Sequence, residues 1–182
     1  MIYKNMRMLK KITLRTIPVY IGVIVLFYFA NPINDFFFIA GIILIVVGEF
    51  FRIWGCGHLV KTKEFTISGP YAYVRHPLYF GTYLIATGFI LMAHLWWLLF
   101  IWQIVFALYY YPRKEVIEGT RLLAIYGDEF LNYMKRVPAL FPSLKAYKNT
   151  PRKWSFKRML ENSELGIIIL DIIGIAILFW KL

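Results

Sequence analysis

The chain has one cysteine, three histidines and only ten acidic residues among its 182 positions. The lone Cys56 excludes an intramolecular disulfide and a cysteine-rich metal site. No grouping of His, Cys, Asp and Glu along the sequence suggests a metal centre of another kind. Internal repeats and low-complexity tracts are also missing, so we expect a single domain over residues 1–182.

Negative charge is scarce, and the 21 Lys and Arg residues bring the net charge to +11. A basic excess can indicate nucleic-acid binding, but the sequence has no zinc-finger spacing and no soluble basic domain. Hydrophobic residues make up 60% of the chain and mean hydropathy is +0.60, whereas soluble domains are about half apolar. We therefore expect anionic lipid, and not nucleic acid, to face the basic surface.

Long hydrophobic runs separated by basic loops are typical of a polytopic membrane protein. We predict an all-α integral membrane fold of five transmembrane helices, because five runs approach the ~17–25 residues that a spanning helix needs. These runs are Leu14–Ala30, Asp35–Trp54, Pro77–Ala93, Leu95–Tyr111 and Leu165–Trp180. Only His94 separates the third run from the fourth, which predicts a tight helical hairpin. We expect the first run to be an anchor and not a cleaved signal peptide.

In this arrangement all Lys and Arg residues except Arg52 and Lys181 lie on one side of the membrane. The positive-inside rule then places the amino terminus in the cytoplasm and the carboxyl terminus outside. The two larger loops, 55–76 and 112–164, face the cytoplasm, where soluble cofactors are available. We therefore expect a cytoplasmic active site in a multi-pass protein of a cell inner membrane or an endomembrane.

The second of these loops is predicted to contain an amphipathic helical pair that lies against the membrane face. Pro112 suits the first turn of a helix. Gly127 is expected to divide the helix, and Val137-Pro138 to end it. Its apolar stripe consists of Val116, Leu123, Phe130 and Met134.

A dense polar and aromatic segment, residues 69–81, lies at the start of the third run. Pro77 can open a helix, which leaves the backbone N–H groups of the first turn free at the interface. His76 and Tyr79 are three residues apart and can share one face. These residues alone leave two interpretations open, a binding site and an interfacial aromatic anchor.

A second polar group, Lys114 with Glu115 and Glu118, follows the fourth run directly. If this helix folds back, its carboxylates face the segment around His76. The residues alone favour a solvated helical face, on which Glu–Lys pairs contribute about 0.2–0.5 kcal/mol each.

Together the two segments resemble the isoprenylcysteine carboxyl methyltransferases and their relatives, the phospholipid methyltransferases. Residues 68–81, Ser-Gly-Pro-Tyr-Ala-Tyr-Val-Arg-His-Pro-Leu-Tyr-Phe-Gly, are similar to the family's Gly-x-Tyr…Arg-His-Pro-x-Tyr-x-Gly signature. Residues 118–142 follow its second block in order and spacing. The likeness covers about residues 52–142, which include the hairpin, and the last span at 165–180 lies beyond it.

The resemblance implies a methyltransferase that uses S-adenosylmethionine and releases S-adenosylhomocysteine, with a lipid or hydrophobic small molecule as substrate. The implied cofactor residues are Lys63, Glu64, Phe65, Thr66, Tyr71, His76, Pro77, Leu78, Tyr79 and Glu118. Lys114, four positions before Glu118, is implied to orient the substrate, with Arg113 beside it. Aromatic faces and one carboxylate suit a sulfonium cation.

Two positions differ from the family pattern. Gly119 stands where a second acid is usual, and Lys114 stands where the carboxyl methyltransferases have Arg, whose planar fork matches a carboxylate. The acceptor group is left open among a carboxylate, an amine and a thiol. Two other functions also stay open, an NADPH-dependent membrane reductase of sterols or enones and a membrane adaptor that has lost catalysis.

Charged residues within the predicted spans need partners, because a lone charge at mid-membrane costs about 2.5–3.5 kcal/mol or more. Glu49 and Arg52 are three residues apart and can pair with each other, or Arg52 can reach a lipid headgroup or the cofactor region. Asp171 is expected to be paired or to face water. His58 and His94 are expected to be structural.

Overall fold

The computed structural model describes residues 20–33, 35–60, 65–148 and 152–182. These ranges contain helices and no strand, which confirms the all-α prediction for the described part of the chain. The helices are α1 (Tyr20–Phe29), α2 (Asp35–His58), α3 (Pro77–Met92), α4 (Trp96–Val105), α5 (Tyr111–Arg136), α6 (Phe156–Glu161) and α7 (Glu164–Lys181). A 3-10 turn over Gly69–Ala72 precedes α3, and a π-helical turn over Phe106–Tyr110 joins α4 to α5.

Two glycine pairs bring α2 and α3 together in antiparallel contact. A Cβ atom on Gly41 would lie 2.6 Å from the carbonyl oxygen of Gly88, and one on Gly48 would lie 2.7 Å from that of Gly81. Neither distance is possible for a real side chain, so only glycine lets the two backbones approach this closely. The contact fixes the start of α3, with its His76-Pro77 turn, against the end of α2.

The predicted tight hairpin is confirmed. Only residues 93–95 separate α3 from α4. His94 adopts a left-handed conformation with φ 57°, which is uncommon outside glycine, and its N–H donates to the carbonyl of Leu91 at 3.0 Å. His94 therefore ends α3 and reverses the chain, as expected for a structural histidine.

Pro112 lies in the first turn of α5, as predicted, and α4 continues through the π-helical turn directly into α5. Pro112 has no N–H to donate, and its ring crowds the carbonyl four residues earlier. The wider π-helical turn just before it accommodates this crowding. As a result, α5 leaves the hairpin without a loop. Gly127 divides α5, as predicted, with φ 48°, and α5 ends at Arg136, just before Val137-Pro138.

The apolar stripe predicted on α5 is only partly the face that the protein buries. Phe130 is buried, but Val116 is 65% exposed and Leu123 is 41% exposed. The left-handed backbone at Gly127 turns the second half of α5 relative to the first, so a stripe drawn through both halves cannot stay on one side. The buried cluster of this region contains Phe130, Tyr133 and Val137, with Phe65, Leu122 and Tyr126 packed against it.

The C-terminal segment packs across the end of α2. Side chains of this segment donate hydrogen bonds to carbonyls of the last turn of α2 and the residue after it. The pairs are Trp154 Nε1 to Ile53 at 3.0 Å, Arg158 Nε to Gly57 at 2.7 Å, and Asn162 Nδ2 to Cys56 at 2.9 Å and Leu59 at 3.2 Å. Most of these carbonyls have no partner within the helix, so side chains from outside satisfy them.

Among the described residues, α2 is the one helix that is long and apolar enough to cross a bilayer, judged by length and composition. The helices α1 and α3 are apolar but shorter, and α7 carries charge at Glu164, Asp171 and Lys181. The five-span count is therefore not confirmed. It stays a prediction, together with the orientation derived from it.

Candidate active site

A cavity of about 420 Å³ lies between the end of α2, the segment from Tyr71 to Tyr79, and α5. The resemblance implied ten cofactor residues, and Lys63 and Glu64 lie outside the described residues. The other eight all line this cavity: Phe65, Thr66, Tyr71, His76, Pro77, Leu78, Tyr79 and Glu118. The structure thus brings the two sequence segments together around one space, while their role toward a cofactor stays a prediction.

Backbone hydrogen bonds hold the second segment to the first. The N–H of Arg75 donates to the carbonyl of Pro138 at 2.9 Å, and that of His76 donates to Ala139 at 3.1 Å. Further along, Tyr147 N–H donates to the carbonyl of Ala72 at 2.9 Å. The chain after α5 therefore runs beside residues 72–76.

His76 lies between two carboxylates of α5. Its Nε2 atom is hydrogen-bonded to Glu115, and its Nδ1 atom lies 3.4 Å from Glu118 Oε2. Arg75 Nη1 lies 2.6 Å from the other oxygen of Glu115, and the Tyr79 hydroxyl donates to Glu118. Two basic side chains, Arg75 and His76, and two carboxylates, Glu115 and Glu118, thus form a compact cluster at the edge of the cavity.

Electrostatics within this cluster favour the charged forms. Burial opposes a charged His76, but the hydrogen bonds to Glu115 and Glu118 outweigh it and raise the pKa of His76. Burial also opposes charge on the two carboxylates, yet hydrogen bonding to His76 lowers the pKa of Glu115 and of Glu118. Each partner therefore stabilises the ionised form of the others.

The two basic residues implied to orient the substrate point to different places. The ammonium group of Lys114 lies 5.7 Å from the centre of the Tyr79 ring and 5.8 Å from that of Tyr110. Arg113 instead donates to the hydroxyl of Tyr109 at 2.9 Å, and Tyr109 is 60% exposed. Lys114 is therefore the one that lies beside the cavity, over a ring that lines it.

An aromatic wall forms the far side of the cavity. The rings of Phe65 and Tyr126 stack with centres 5.0 Å apart, and the Tyr133 hydroxyl donates to the carbonyl of Tyr71 at 2.7 Å. Burial raises the pKa of Tyr71 and of Tyr133, so both phenols stay protonated. Leu122 and Tyr126, four residues apart on the first half of α5, and Phe130, beyond the break at Gly127, also line the cavity but were not assigned to the site from sequence.

Arg75 and Glu115 were also missed as members of the site. The sequence places Arg75 in the polar segment before α3 without a role of its own, and it leaves Glu115 open between a solvated helical face and a carboxylate that faces His76. The pairing of Glu115 with His76 depends on how α5 folds back, which spacing along the chain does not indicate. Gly119 lies one residue beyond Glu118, and a Cβ atom there would meet nothing within 4 Å. Packing therefore does not require a glycine at this position, where the family usually has a second acid.

The charged residues of the helical core have partners that the sequence did not specify. Arg52 Nε lies 4.0 Å from Glu49, the expected partner, but 2.7 Å from Glu164. Asp171 lies near Glu49, whose two buried carboxylate oxygens have no hydrogen-bond partner among the described residues. His58 Nδ1 lies 3.1 Å from Ser68 Oγ, a structural contact. The described ranges hold no group of three or more His, Cys, Asp and Glu residues placed to bind a metal ion.

Comparison with known proteins gives several relatives. The cobalt-zinc-cadmium resistance protein CzcN of Cupriavidus metallidurans is 33% identical over 129 residues, 68% of this chain and 57% of the relative. The human protein-S-isoprenylcysteine O-methyltransferase is 29% identical over 127 residues, 60% of this chain and 43% of the relative. The methanethiol S-methyltransferase of Crocosphaera subtropica is 35% identical over 81 residues, 43% of this chain and 29% of the relative.

The chain thus spans about half the length of the curated relatives it matches. The comparison with solved structures gives no significant match. A family model described as phospholipid methyltransferase matches residues 36–129, which include the hairpin, the His76-Pro77 turn and the first half of α5. Because this match extends over more than half of the chain, the protein belongs to the phospholipid methyltransferase family.

Proposed function

We propose that this protein is a membrane methyltransferase that uses S-adenosylmethionine to methylate a lipidic or hydrophobic molecule, and that the reaction takes place at the cytoplasmic face of a membrane. One observation carries the proposal: the two sequence segments that resemble the family meet around one cavity, and every implied cofactor residue within the described ranges lines it. Membership of the family supports the reaction class.

The residues around the cavity fit a sulfonium nucleotide. The volume of the cavity, about 420 Å³, lies within the roughly 300–1,000 Å³ usual for small-molecule sites. The ionised Glu118 and the faces of Tyr79 and Tyr71 suit the positive charge of the donor. When bound, the donor would supply an electrophilic methyl group, and for an acceptor that is a carboxylate, a thiolate or a neutral amine the protein's part is to hold donor and acceptor in line.

Holding two reactants aligned can lower a barrier by about 7–11 kcal/mol. Glu118 accepts a hydrogen bond from the Tyr79 hydroxyl and lies 3.4 Å from His76 Nδ1, and the His76 and Tyr79 rings stack, so each side chain restricts the rotamers of the others at the edge of the cavity. Such restriction keeps the site in a binding geometry before a ligand arrives.

Lys114 is the residue we assign to substrate orientation, because its ammonium group lies over the Tyr79 and Tyr110 rings beside the cavity. Exposed apolar side chains precede Lys114 on α4 and the π-helical turn: Leu108 is 76% exposed and Phe100 is 69% exposed. A hydrophobic acceptor can lie along this surface with its polar end near Lys114. Two of the relatives are named for O- and S-methylation, and the acceptor here is a carboxylate, an amine or a thiol.

Calorimetric titration of S-adenosylhomocysteine into the purified full chain tests the proposal. We expect binding by the wild type and binding weakened about tenfold or more by Glu118→Gln, since a charged partner of the ligand is lost. Glu129→Gln is the matched control, because Glu129 is an exposed acid on the same helix. Absence of binding by the wild type, or equal affinity of wild type and Glu118→Gln, would contradict the assignment.

The acceptor is identified by incubating membranes that contain the protein with labelled S-adenosylmethionine and analysing the extracted lipids by mass. Transfer of label in the wild type and not in Glu118→Gln is expected. Turnover of a sterol or enone with NADPH, without label transfer, would favour the reductase instead. Binding of S-adenosylhomocysteine without any transfer would favour the adaptor.

A further inference from the structure

The first residue of α7, Glu164, is fully buried, with 0% of its surface exposed. Its carboxylate accepts two hydrogen bonds from the guanidinium of Arg52, from Nε at 2.7 Å and from Nη2 at 2.9 Å. This two-point geometry is the strong and orientation-specific form of an arginine–carboxylate pair. Cys56 Sγ donates a further hydrogen bond to Glu164 at 3.2 Å.

The third nitrogen of Arg52 reaches toward the cavity. Nη1 donates to Thr82 Oγ1 at 2.6 Å and lies 3.4 Å from the carbonyl oxygen of Leu78, and the Thr82 hydroxyl donates to the same carbonyl at 2.9 Å. Leu78 lines the cavity, and the next residue, Tyr79, binds Glu118 through its hydroxyl. A continuous set of polar contacts therefore connects α7 with the first turn of α3.

The stem of Arg52 has little freedom to move within this arrangement. A Cβ atom on Gly81 would lie 3.2 Å from Arg52 Cδ and closer still to Cγ. The arginine thus packs directly on the backbone of α3. The alternative partner of Arg52, Glu49, is 4.0 Å from Nε. Although the stem stays packed, loss of Glu164 therefore allows the guanidinium group to turn toward Glu49 and away from Thr82.

Stability alone is a poor account of this pair. A buried ion pair adds little net stability, because removing both charges from water offsets most of their attraction. The location of the pair is more informative, since Arg52 contacts the first turn of α3, which carries Leu78 and Tyr79. The family model matches residues 36–129, so it includes Arg52 but does not extend to Glu164.

We infer that Glu164 is a positioning residue of the proposed active site: it orients Arg52, and Arg52 holds the first turn of α3 in the geometry that binds the methyl donor. The inference rests on the proposed function. It assigns to the last helix a role in the site that the matched family region does not contain.

Three variants test it by calorimetric titration with S-adenosylhomocysteine and by steady-state kinetics with S-adenosylmethionine. Glu164→Gln removes the charge that holds Arg52. Thr82→Val keeps both charges and the side-chain shape but removes the hydroxyl that links Arg52 to Leu78. Thr82→Ser restores that hydroxyl. We expect the dissociation constant and the KM for the donor to rise about three- to tenfold in the first two variants, with little change in kcat, and to return to the wild-type values in Thr82→Ser.

Thr87→Val is the matched control, because Thr87 lies on the same helix and loses one comparable hydrogen bond, the one from Trp102 Nε1 at 3.1 Å. It should lower the melting temperature, though less than Thr82→Val, which loses two hydrogen bonds, and it should leave donor affinity unchanged. If Glu164→Gln fails to fold, Thr82→Val and Thr82→Ser decide the matter. Wild-type affinity in Thr82→Val overturns the inference and leaves the proposed function standing, whereas failure of the wild type to bind the donor overturns both.

Discussion

The Nε2 atom of His76 is hydrogen-bonded to the carboxylate of Glu115, 39 residues later in the chain. This contact joins the turn that opens α3 to the first turns of α5. The second oxygen of Glu115 lies 2.6 Å from Arg75 Nη1, so one carboxylate engages two consecutive residues of the turn. Glu115 therefore adds a side-chain link between the two segments to the backbone hydrogen bonds and to the contact between Tyr79 and Glu118.

Replacement of Glu115 by Gln is expected to lower the free energy of unfolding by about 1–3 kcal/mol, because the buried Arg75 and His76 lose a charged partner. Thermal or denaturant unfolding of the purified protein measures the change. Asp128→Asn is the control, since Asp128 is exposed on the same helix. Equal stability of Glu115→Gln and the control would show that the contact contributes nothing.

The stability of the cluster is expected to be greatest between about pH 4.5 and 6.5, the ordinary pKa values of its groups. The raised pKa of His76 gives a stabilisation that is complete below its ordinary value of 6.5 and is lost as pH rises through the folded-state value. The lowered pKa values of Glu115 and Glu118 give a stabilisation that is complete above 4.5 and is lost as pH falls through theirs.

Melting temperatures of wild type and His76→Gln, measured from below pH 4.5 to above pH 6.5, check the sign. The wild type should lose stability on the alkaline side, and the variant should lose less there because it has no proton to release. Parallel alkaline limbs in the two proteins would mean that His76 does not titrate with folding.

The neighbouring residues Lys114 and Arg113 should differ in function. Lys114→Gln is expected to raise the KM for the methyl acceptor about tenfold and to leave the affinity for S-adenosylhomocysteine nearly unchanged, because the ammonium group lies over Tyr79 and Tyr110. Arg113→Gln should behave as wild type, since Arg113 contacts the exposed Tyr109. A larger effect of Arg113→Gln than of Lys114→Gln would reverse the assignment.

Two glycines should respond to alanine in opposite directions. Gly48→Ala is expected to destabilise the protein by about 1–3 kcal/mol, because a Cβ atom would lie 2.7 Å from the carbonyl oxygen of Gly81 and force α2 from α3. Gly119→Ala should stabilise it by up to about 1 kcal/mol, since the position is helical and a Cβ atom meets nothing within 4 Å. Unfolding of both variants under one condition compares them directly, and a neutral Gly48→Ala would contradict the close packing.

Much of the local structure was predictable from particular residues. Pro77 opens α3, His94 reverses the chain, Gly127 divides α5 and α5 ends just before Pro138, and each acts through its own backbone preference. Pro112 lies in the first turn of α5, as predicted, but the π-helical turn that joins α4 to α5 just before it was not predicted.

The sequence by itself determined where the helices lie and which residues are available for chemistry, because hydropathy, proline and glycine act over a few neighbouring positions. Only the tertiary structure decided which of those residues meet. Glu115 pairs with His76 across 39 positions and Glu164 with Arg52 across 112. Such pairs depend on how closely α2 and α3 pack and on the direction in which α5 and α7 return, and the spacing of residues along a chain carries no record of either.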